Sequence, residues 1–117
     1  MVTISIGSPS ILDETPIKRE KGKSILSVPS EYVVLDLETT GLDAHFDNII
    51  EIACMHINDG EIVNTFHTYV KPPLLEYFDG SRHYVDSFIT KLTGITDDML
   101  KDAPTFDDIA KKLYGFI

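Results

Sequence analysis

One short run, Tyr32 to Glu38, constrains the fold more than any other part of this chain. Its sequence, YVVLDLE, is rich in strand-forming residues and nearly continuous in apolar side chains, which predicts a β-strand buried on both faces. Two acids nevertheless occur near its end. Because side chains alternate along a strand, Asp36 and Glu38 should project from the same side, with Cα atoms about 6.5–7 Å apart. The chain must therefore hold two carboxylates side by side on a sheet.

Two explanations of this carboxylate pair are open from the residues alone. Asp36 and Glu38 can be solvent-facing residues of an amphipathic strand. They can also bind a metal ion, because neighbouring carboxylates repel each other and a cation or a proton relieves the repulsion. Hard oxygen ligands favour Mg²⁺ or Mn²⁺. The residues by themselves favour neither explanation.

The next elements predict a hairpin. A second extended run, Ile49 to Ile57, and a third, Glu61 to Val70, flank the sequence Asn58-Asp59-Gly60, and this pattern is typical of two antiparallel strands joined by a tight turn. Lys71-Pro72-Pro73 ends the third strand. We predict a loop from there to Tyr84, since the stretch has mixed polarity and no clear period.

Helices are expected in the last third of the chain. Residues 86–92 can form a short helix, and Thr96 precedes two acids in the manner of an N-cap. Thr105 and Asp108 stand three apart, as in a capping box, which predicts the start of a final helix. Three antiparallel strands followed by helices give the α/β class. The face of the final helix expected to pack on the sheet comprises Phe106, Ile109, Ala110 and Leu113.

Composition excludes several classes of protein. With 117 residues, 43% hydrophobic and 25% charged, the chain fits one small globular domain, which we place at residues 31–117 after a flexible tail at residues 1–30. A net charge of −9 argues against holding nucleic acid by broad electrostatic attraction. The single Cys54 excludes an internal disulfide. No apolar run approaches the roughly 20 residues of a bilayer span, so we expect a cytoplasmic protein without a membrane partner.

Four segments resemble, in the same order, the DnaQ-like (DEDD) 3′→5′ exonucleases. Residues 32–42, YVVLDLETTGL, are similar to the first motif of that family. The similarity continues with NIIEIA at residues 48–53, TFHTYVKP at 65–72 and LTGITDDMLKDAP at 92–104. Among members of the family, the segments resemble the exonuclease domain of PolC-type bacterial replicative polymerases and the proofreading epsilon subunit. The resemblance implies an RNase H-like fold.

The resemblance also implies a chemistry. Members of the family hydrolyse the terminal phosphodiester at a DNA 3′ end with two divalent metal ions, Mg²⁺ or Mn²⁺, held by four acidic residues. Carried over to this sequence, Asp36 and Glu38 are expected to be catalytic metal ligands, with Asp36 bridging the two ions. The expected contacts to the terminal nucleotide come from Thr39, Thr40, Gly41, Leu42 and Thr93.

The family's second and third motifs would follow Ile117, so we expect little or no exonuclease activity from this chain alone. The outer flank of the first strand is then expected to be an open edge that is covered by a second copy, by the N-terminal tail or by a partner fragment. The competing hypothesis is a non-catalytic interaction or dimerisation module that keeps the exonuclease fold. The motifs also leave RNA as an alternative substrate to DNA. The residues expected to be surface or packing histidines are His45, His56, His67 and His83.

Overall fold

The computed structural model of the chain describes residue 22 and residues 27–117. Most of the tail predicted at residues 1–30 lies outside this part. The first three strands are β1 (Glu31–Thr39), β2 (Ile49–Asn58) and β3 (Glu61–Tyr69), and they form an antiparallel sheet in the order β1-β2-β3. Within the described part of the chain, β1 is therefore an edge strand.

The turn between β2 and β3 confirms the predicted hairpin. Asp59 has a φ angle of 50° and Gly60 a φ angle of 81°, so both central residues adopt the left-handed conformation. Two successive positive φ angles define the tight type I′ turn, whose twist matches that of the flanking strands. The turn pairs Asn58 with Glu61, and a bulge between His56 and Ile57 then shifts the register of β2 and β3 by one residue.

Three helices follow: α1 (Ser87–Thr93), α2 (Asp97–Leu100) and α3 (Phe106–Phe116). Each begins at a side-chain cap. Thr96 caps α2, and Thr105 and Asp108 form the predicted capping box at the start of α3. The α/β class, with three antiparallel strands followed by helices, is as predicted. No helix within residues 27–117 is long and apolar enough to cross a membrane.

Helix α3 covers one face of the sheet. Ile109 and Leu113 are buried there, whereas Phe106 is 40% exposed, so the predicted apolar face of α3 is only partly covered. Cys54 lies within this cluster, where burial raises the pKa of its thiol. The buried members of the first hydrophobic cluster are Val33, Leu35, Ile52, Cys54, Val70, Ile109 and Leu113.

A second, separate hydrophobic cluster holds α1 and α2. Ile95, in the turn between the two helices, and Leu100 of α2 are almost completely buried, and Tyr69 at the end of β3 packs against them. The full set of buried members is Ile50, Val85, Ile89, Ile95 and Leu100. This cluster fixes the α1–α2 segment against the end of β3.

Two sequence predictions differ from the structure. The segment predicted as a loop contains a small hairpin of β4 (Leu75–Glu76) and β5 (Arg82–His83), closed by a turn at Gly80 with a φ angle of 81°. Strands of two residues show no period in a sequence. In addition, β1 is not buried on both faces: Val33 and Leu35 are buried, but Asp36 is exposed. Only one face of β1 is covered, because α3 packs on the face that carries Val33 and Leu35.

Candidate active site

Asp36 and Glu38 lie on the same face of the sheet. Asp36 is opposite Ala53 in the register of β1 and β2, and Glu38 is opposite Glu51. Side chains directly opposite each other point to the same side, and neighbours along a strand point to the other side. The carboxylates therefore face away from α3. The residues of this surface, which we call the acid face, are Asp36, Glu38, Glu51, Ala53, His67 and Tyr69.

The two carboxylates are available to a ligand. Neither Asp36 nor Glu38 makes a hydrogen bond or salt bridge through its side chain to another residue of the described part of the chain. Two adjacent hard oxygen donors without a competing cation fit Mg²⁺ or Mn²⁺. Within residues 27–117, no group of three or more His, Cys, Asp and Glu side chains is arranged to hold a metal ion. The described residues therefore contain no complete ligand set for a metal ion.

A histidine and a further acid lie beside the pair. His67 Nε2 is 2.7 Å from Glu51 Oε2, across the diagonal between β3 and β2. The imidazole ring of His67 also makes an edge contact with the ring of Tyr69, with centroids 5.3 Å apart. The sequence predicted His67 only as a surface or packing residue. The bulge between His56 and Ile57 shifts the register of β2 and β3 so that His67 is opposite Ala53, and this shift places His67 on the acid face.

The loop after β1 is closed by hydrogen bonds of its own. The Thr40 hydroxyl donates to Asp47 Oδ1 at 3.0 Å and accepts from the backbone N–H of Asn48 at 2.9 Å. The Thr39 hydroxyl donates to the carbonyl oxygen of Gly41 at 2.7 Å. Both hydroxyls, predicted to contact a nucleotide, thus also stabilise the loop.

Gly41 is required by close packing within this loop. A Cβ atom at position 41 would lie 2.5 Å from Asp47 Oδ2. That carboxylate cannot move freely, because it accepts hydrogen bonds from the Thr40 hydroxyl and from the backbone N–H of Asp43. Only a glycine allows the carboxylate to approach the backbone in this way.

A cavity of about 760 Å³ lies between this loop, the exit of β3 and the start of α3. Its inner wall is apolar and includes Leu37 and Val70, which belong to the side of the sheet that α3 covers. Thr39, Gly41 and Leu42 line the cavity, whereas Asp36, Glu38 and Thr93 do not. The structure thus brings three of the predicted nucleotide contacts together at the end of β1, on a different side from the carboxylates.

Thr93 lies at the end of α1. Its hydroxyl donates to the carbonyl oxygen of Ile89 at 2.8 Å and accepts from the backbone N–H of Ile95 at 3.1 Å. Gly94, with a φ angle of 78°, ends the helix. Tyr69 belongs to the acid face and also contacts the second hydrophobic cluster, so the turn that carries Thr93 lies on the same side of the sheet as the carboxylates.

Asp97 joins this turn to the preceding hairpin. Its Oδ1 accepts hydrogen bonds from the backbone N–H groups of Tyr84 and Val85, at 2.8 and 3.1 Å, and its Oδ2 is 2.7 Å from His83 Nδ1. Burial alone would raise the pKa of the Asp97 carboxyl, but the hydrogen bonds from His83, Val85 and Tyr84 outweigh it, so this pKa lies below its usual value. The Asp97 side chain that joins the turn to the hairpin is therefore an ionised carboxylate at neutral pH.

The chain is similar in sequence to known proteins. Residues 33–117 match the sequence family described as Exonuclease (RNase_T). The chain is 38% identical over 115 residues to the PolC-type DNA polymerase III of Caldanaerobacter subterraneus subsp. tengcongensis, covering 98% of this chain and 8% of that protein. It is 38% identical over 105 residues to the PolC-type DNA polymerase III of Bacillus subtilis, covering 90% of this chain and 7% of that protein.

A solved structure shows the same fold. The structure described as "3'-end specific recognition of histone mRNA stem-loop by 3'-exonuclease" is 30% identical, with a TM-score of 0.56 over 74% of this chain and 30% of that one. The fold is therefore RNase H-like, as the sequence resemblance implied. The chain spans less than a tenth of the length of either polymerase and about a third of the solved exonuclease.

Proposed function

This chain belongs to the exonuclease family, and we propose that it provides the first two catalytic carboxylates of a 3′→5′ exonuclease that acts on DNA 3′ ends. The observation that carries the proposal is the position of Asp36 and Glu38. They share one face at the end of β1, and neither has a side-chain partner within the described residues. Unpaired carboxylates in this position are suited to hold a cation beside a nucleic-acid terminus.

The substrate is proposed from the relatives. The relatives that match nearly the whole chain are named DNA polymerase III PolC-type, which supports DNA as the substrate. A proofreading role is part of the proposal. RNA is the alternative, because the solved exonuclease is described as recognising a histone mRNA stem-loop. We also propose, in keeping with the bacterial polymerases, that the protein acts in the cytoplasm.

The residues of the site have separate tasks in this proposal. Asp36 and Glu38 would hold Mg²⁺ or Mn²⁺ through their carboxylates. Divalent ions supply, when bound, the activation of water and the stabilisation of the leaving oxygen that phosphodiester hydrolysis needs. Five residues are proposed to bind the terminal nucleotide, through backbone groups where their hydroxyls stabilise the fold: Thr39, Thr40, Gly41, Leu42 and Thr93.

Residues 1–117 alone are proposed to have little or no exonuclease activity. Asp36 and Glu38 are two of the four acidic positions that the family resemblance implies, and no third ligand completes the site within the described part of the chain. Two carboxylates hold a hydrated ion weakly, but they do not fix a pair of ions or orient a water molecule.

The test uses a single-stranded oligonucleotide with a fluorescent 5′ end, mixed with the 117-residue chain and Mn²⁺. We expect binding that requires Mn²⁺ and is lost in the Asp36→Ala variant, with little degradation. The Asp98→Ala variant is the matched control, because Asp98 is an exposed acid on α2 whose pair is Lys101. Binding that ignores both Mn²⁺ and Asp36→Ala would contradict the proposed function. Rapid, Asp36-dependent degradation would support the function but show that residues 1–117 suffice.

One observation favours the second candidate, an interaction module. β1 is at the edge of its sheet in the described part of the chain, although Val33 and Leu35 are buried. An apolar edge strand with free N–H and C=O groups is a template for pairing with another strand. We propose that this edge binds a second copy or a partner fragment. Analytical ultracentrifugation across a dilution series should show association, and a monomer at every concentration would rule out the second copy.

A further inference from the structure

We propose that Glu51 and His67 form a positioning pair for the cation site, a role that rests on the proposed function of Asp36 and Glu38. Glu51 supports the site from the neighbouring strand as a fixed negative charge and hydrogen-bond acceptor. His67 fixes the position of Glu51. Neither residue is proposed to be a metal ligand, in keeping with the lack of a three-residue metal cluster within residues 27–117.

The sheet register places Glu51 next to the site. Glu38 and Glu51 are directly opposite each other on β1 and β2, so their Cβ atoms are about 4.5–5.5 Å apart. Asp36 is opposite Ala53, whose small side chain leaves the space between β1 and β3 open. Three carboxylates thus share a corner of the acid face.

Like charges opposite each other on two strands destabilise the sheet unless something holds them. Here His67 holds Glu51 from the far side, at 2.7 Å, through only one of its two carboxylate oxygens. The other oxygen, Oε1, has no hydrogen-bond partner among the described residues. The pair therefore keeps a negative charge beside Glu38 and leaves one acceptor free towards β1.

Tyr69 keeps the histidine in place. The rings of His67 and Tyr69 are in edge contact at 5.3 Å, and Tyr69 is itself packed against the second hydrophobic cluster. The Glu51 side chain is 24% exposed. A half-buried, supported acid keeps its position better than a free surface side chain. Outer groups that orient a metal site in this way contribute about 10- to 100-fold to metal affinity.

The chain contains a matched control on the opposite face. His56 Nε2 is 2.8 Å from Glu31 Oε1, which is a second cross-strand His–Glu pair of the same geometry. His56 is opposite Val33, a member of the cluster that packs on α3, so this pair faces away from Asp36 and Glu38. Any general effect of losing a His–Glu pair on the stability of the sheet appears in both.

The experiment is a calorimetric titration of the full chain with Mn²⁺, with the electron paramagnetic resonance spectrum of bound Mn²⁺ as a second readout. We expect Glu51→Gln to weaken binding about tenfold and His67→Ala to weaken it several-fold. His67→Gln, which keeps a hydrogen-bond donor, should restore most of the affinity. His56→Ala should bind Mn²⁺ like the original chain, and thermal melts confirm that each variant is folded.

The outcomes separate this proposal from the proposed function. If Mn²⁺ binding is unaffected by Asp36→Ala, both are wrong. If Asp36→Ala abolishes binding but Glu51→Gln and the original chain bind equally, only the positioning role is wrong. Tighter binding in His67→Ala would also overturn it, since it would show that Glu51 becomes a ligand once released. Failure of His67→Gln to restore affinity would likewise overturn the role given to the hydrogen bond.

Discussion

Replacing Asp97 tests how the turn that carries Thr93 is held against the rest of the fold. In Asp97→Ala, the backbone N–H of Val85, which is 5% exposed, loses its acceptor, as does the half-buried N–H of Tyr84. A buried donor without an acceptor costs about 1–3 kcal/mol, and the more accessible one costs about 1 kcal/mol. We therefore expect the free energy of unfolding to fall by about 2–4 kcal/mol.

Two further variants separate shape from charge. Asp97→Asn keeps an oxygen in the place of Oδ1 and loses only the charged contact to His83, so we expect a loss of about 1 kcal/mol. Asp98→Ala removes the neighbouring acid of α2, whose side chain is 89% exposed and 3.5 Å from Lys101, and should change stability by less than about 0.5 kcal/mol. Urea unfolding followed by circular dichroism measures all three.

The pH dependence has a definite sign. The folded-state pKa of Asp97 is below its usual value of about 4, so its ionised form stabilises the fold above that pH and the contribution is lost as the pH falls through the folded-state pKa. The difference in stability between the original chain and Asp97→Asn should therefore shrink below about pH 4. Equal stability of Asp97→Ala and Asp98→Ala at neutral pH, or a difference that grows on acidification, would refute this reasoning.

Two other predictions concern the sheet and its adjoining loop. Ala53→Lys places a cation opposite Asp36 and should abolish Mn²⁺ binding in calorimetry while the chain stays folded. Cys54→Lys instead buries a charge under α3 and should unfold the chain. Equal effects of the two variants would contradict the assignment of faces. Gly41→Ala forces the Asp47 carboxylate away from the backbone and should cost about 1–3 kcal/mol in urea unfolding. A change below about 0.5 kcal/mol there would mean that the loop adapts freely.

Strong local patterns made much of the fold predictable. Apolar runs marked the three strands, Asp59-Gly60 marked the type I′ turn, and Thr105 with Asp108 marked the start of α3, because each of these signals acts within a few residues. The small hairpin of β4 and β5 left no such signal. Its strands are two residues long and depend on Asp97, which follows more than ten residues later.

The candidate site shows the same limit. Strand alternation placed Asp36 and Glu38 on one face, but it did not show that the cavity lined by Thr39, Gly41 and Leu42 opens on the other side of the sheet. Nor did it show the pairing of His67 with Glu51, which depends on the register of β2 and β3 beyond the bulge between His56 and Ile57. Contacts that depend on long-range register are set by the packing of the whole sheet, and a single-sequence pattern carries little information about them.

Residue-resolved mapping of Mn²⁺ by nuclear magnetic resonance tests the central claim most directly. Paramagnetic broadening of the amide signals should be centred on Asp36 and Glu38, should extend to Glu51 and Ala53 on β2, and should disappear in Asp36→Asn. Broadening centred on the acids of the loop at Asp43 and Asp47, or of α2 at Asp97 and Asp98, would contradict the claim. So would a pattern that Asp36→Asn leaves unchanged.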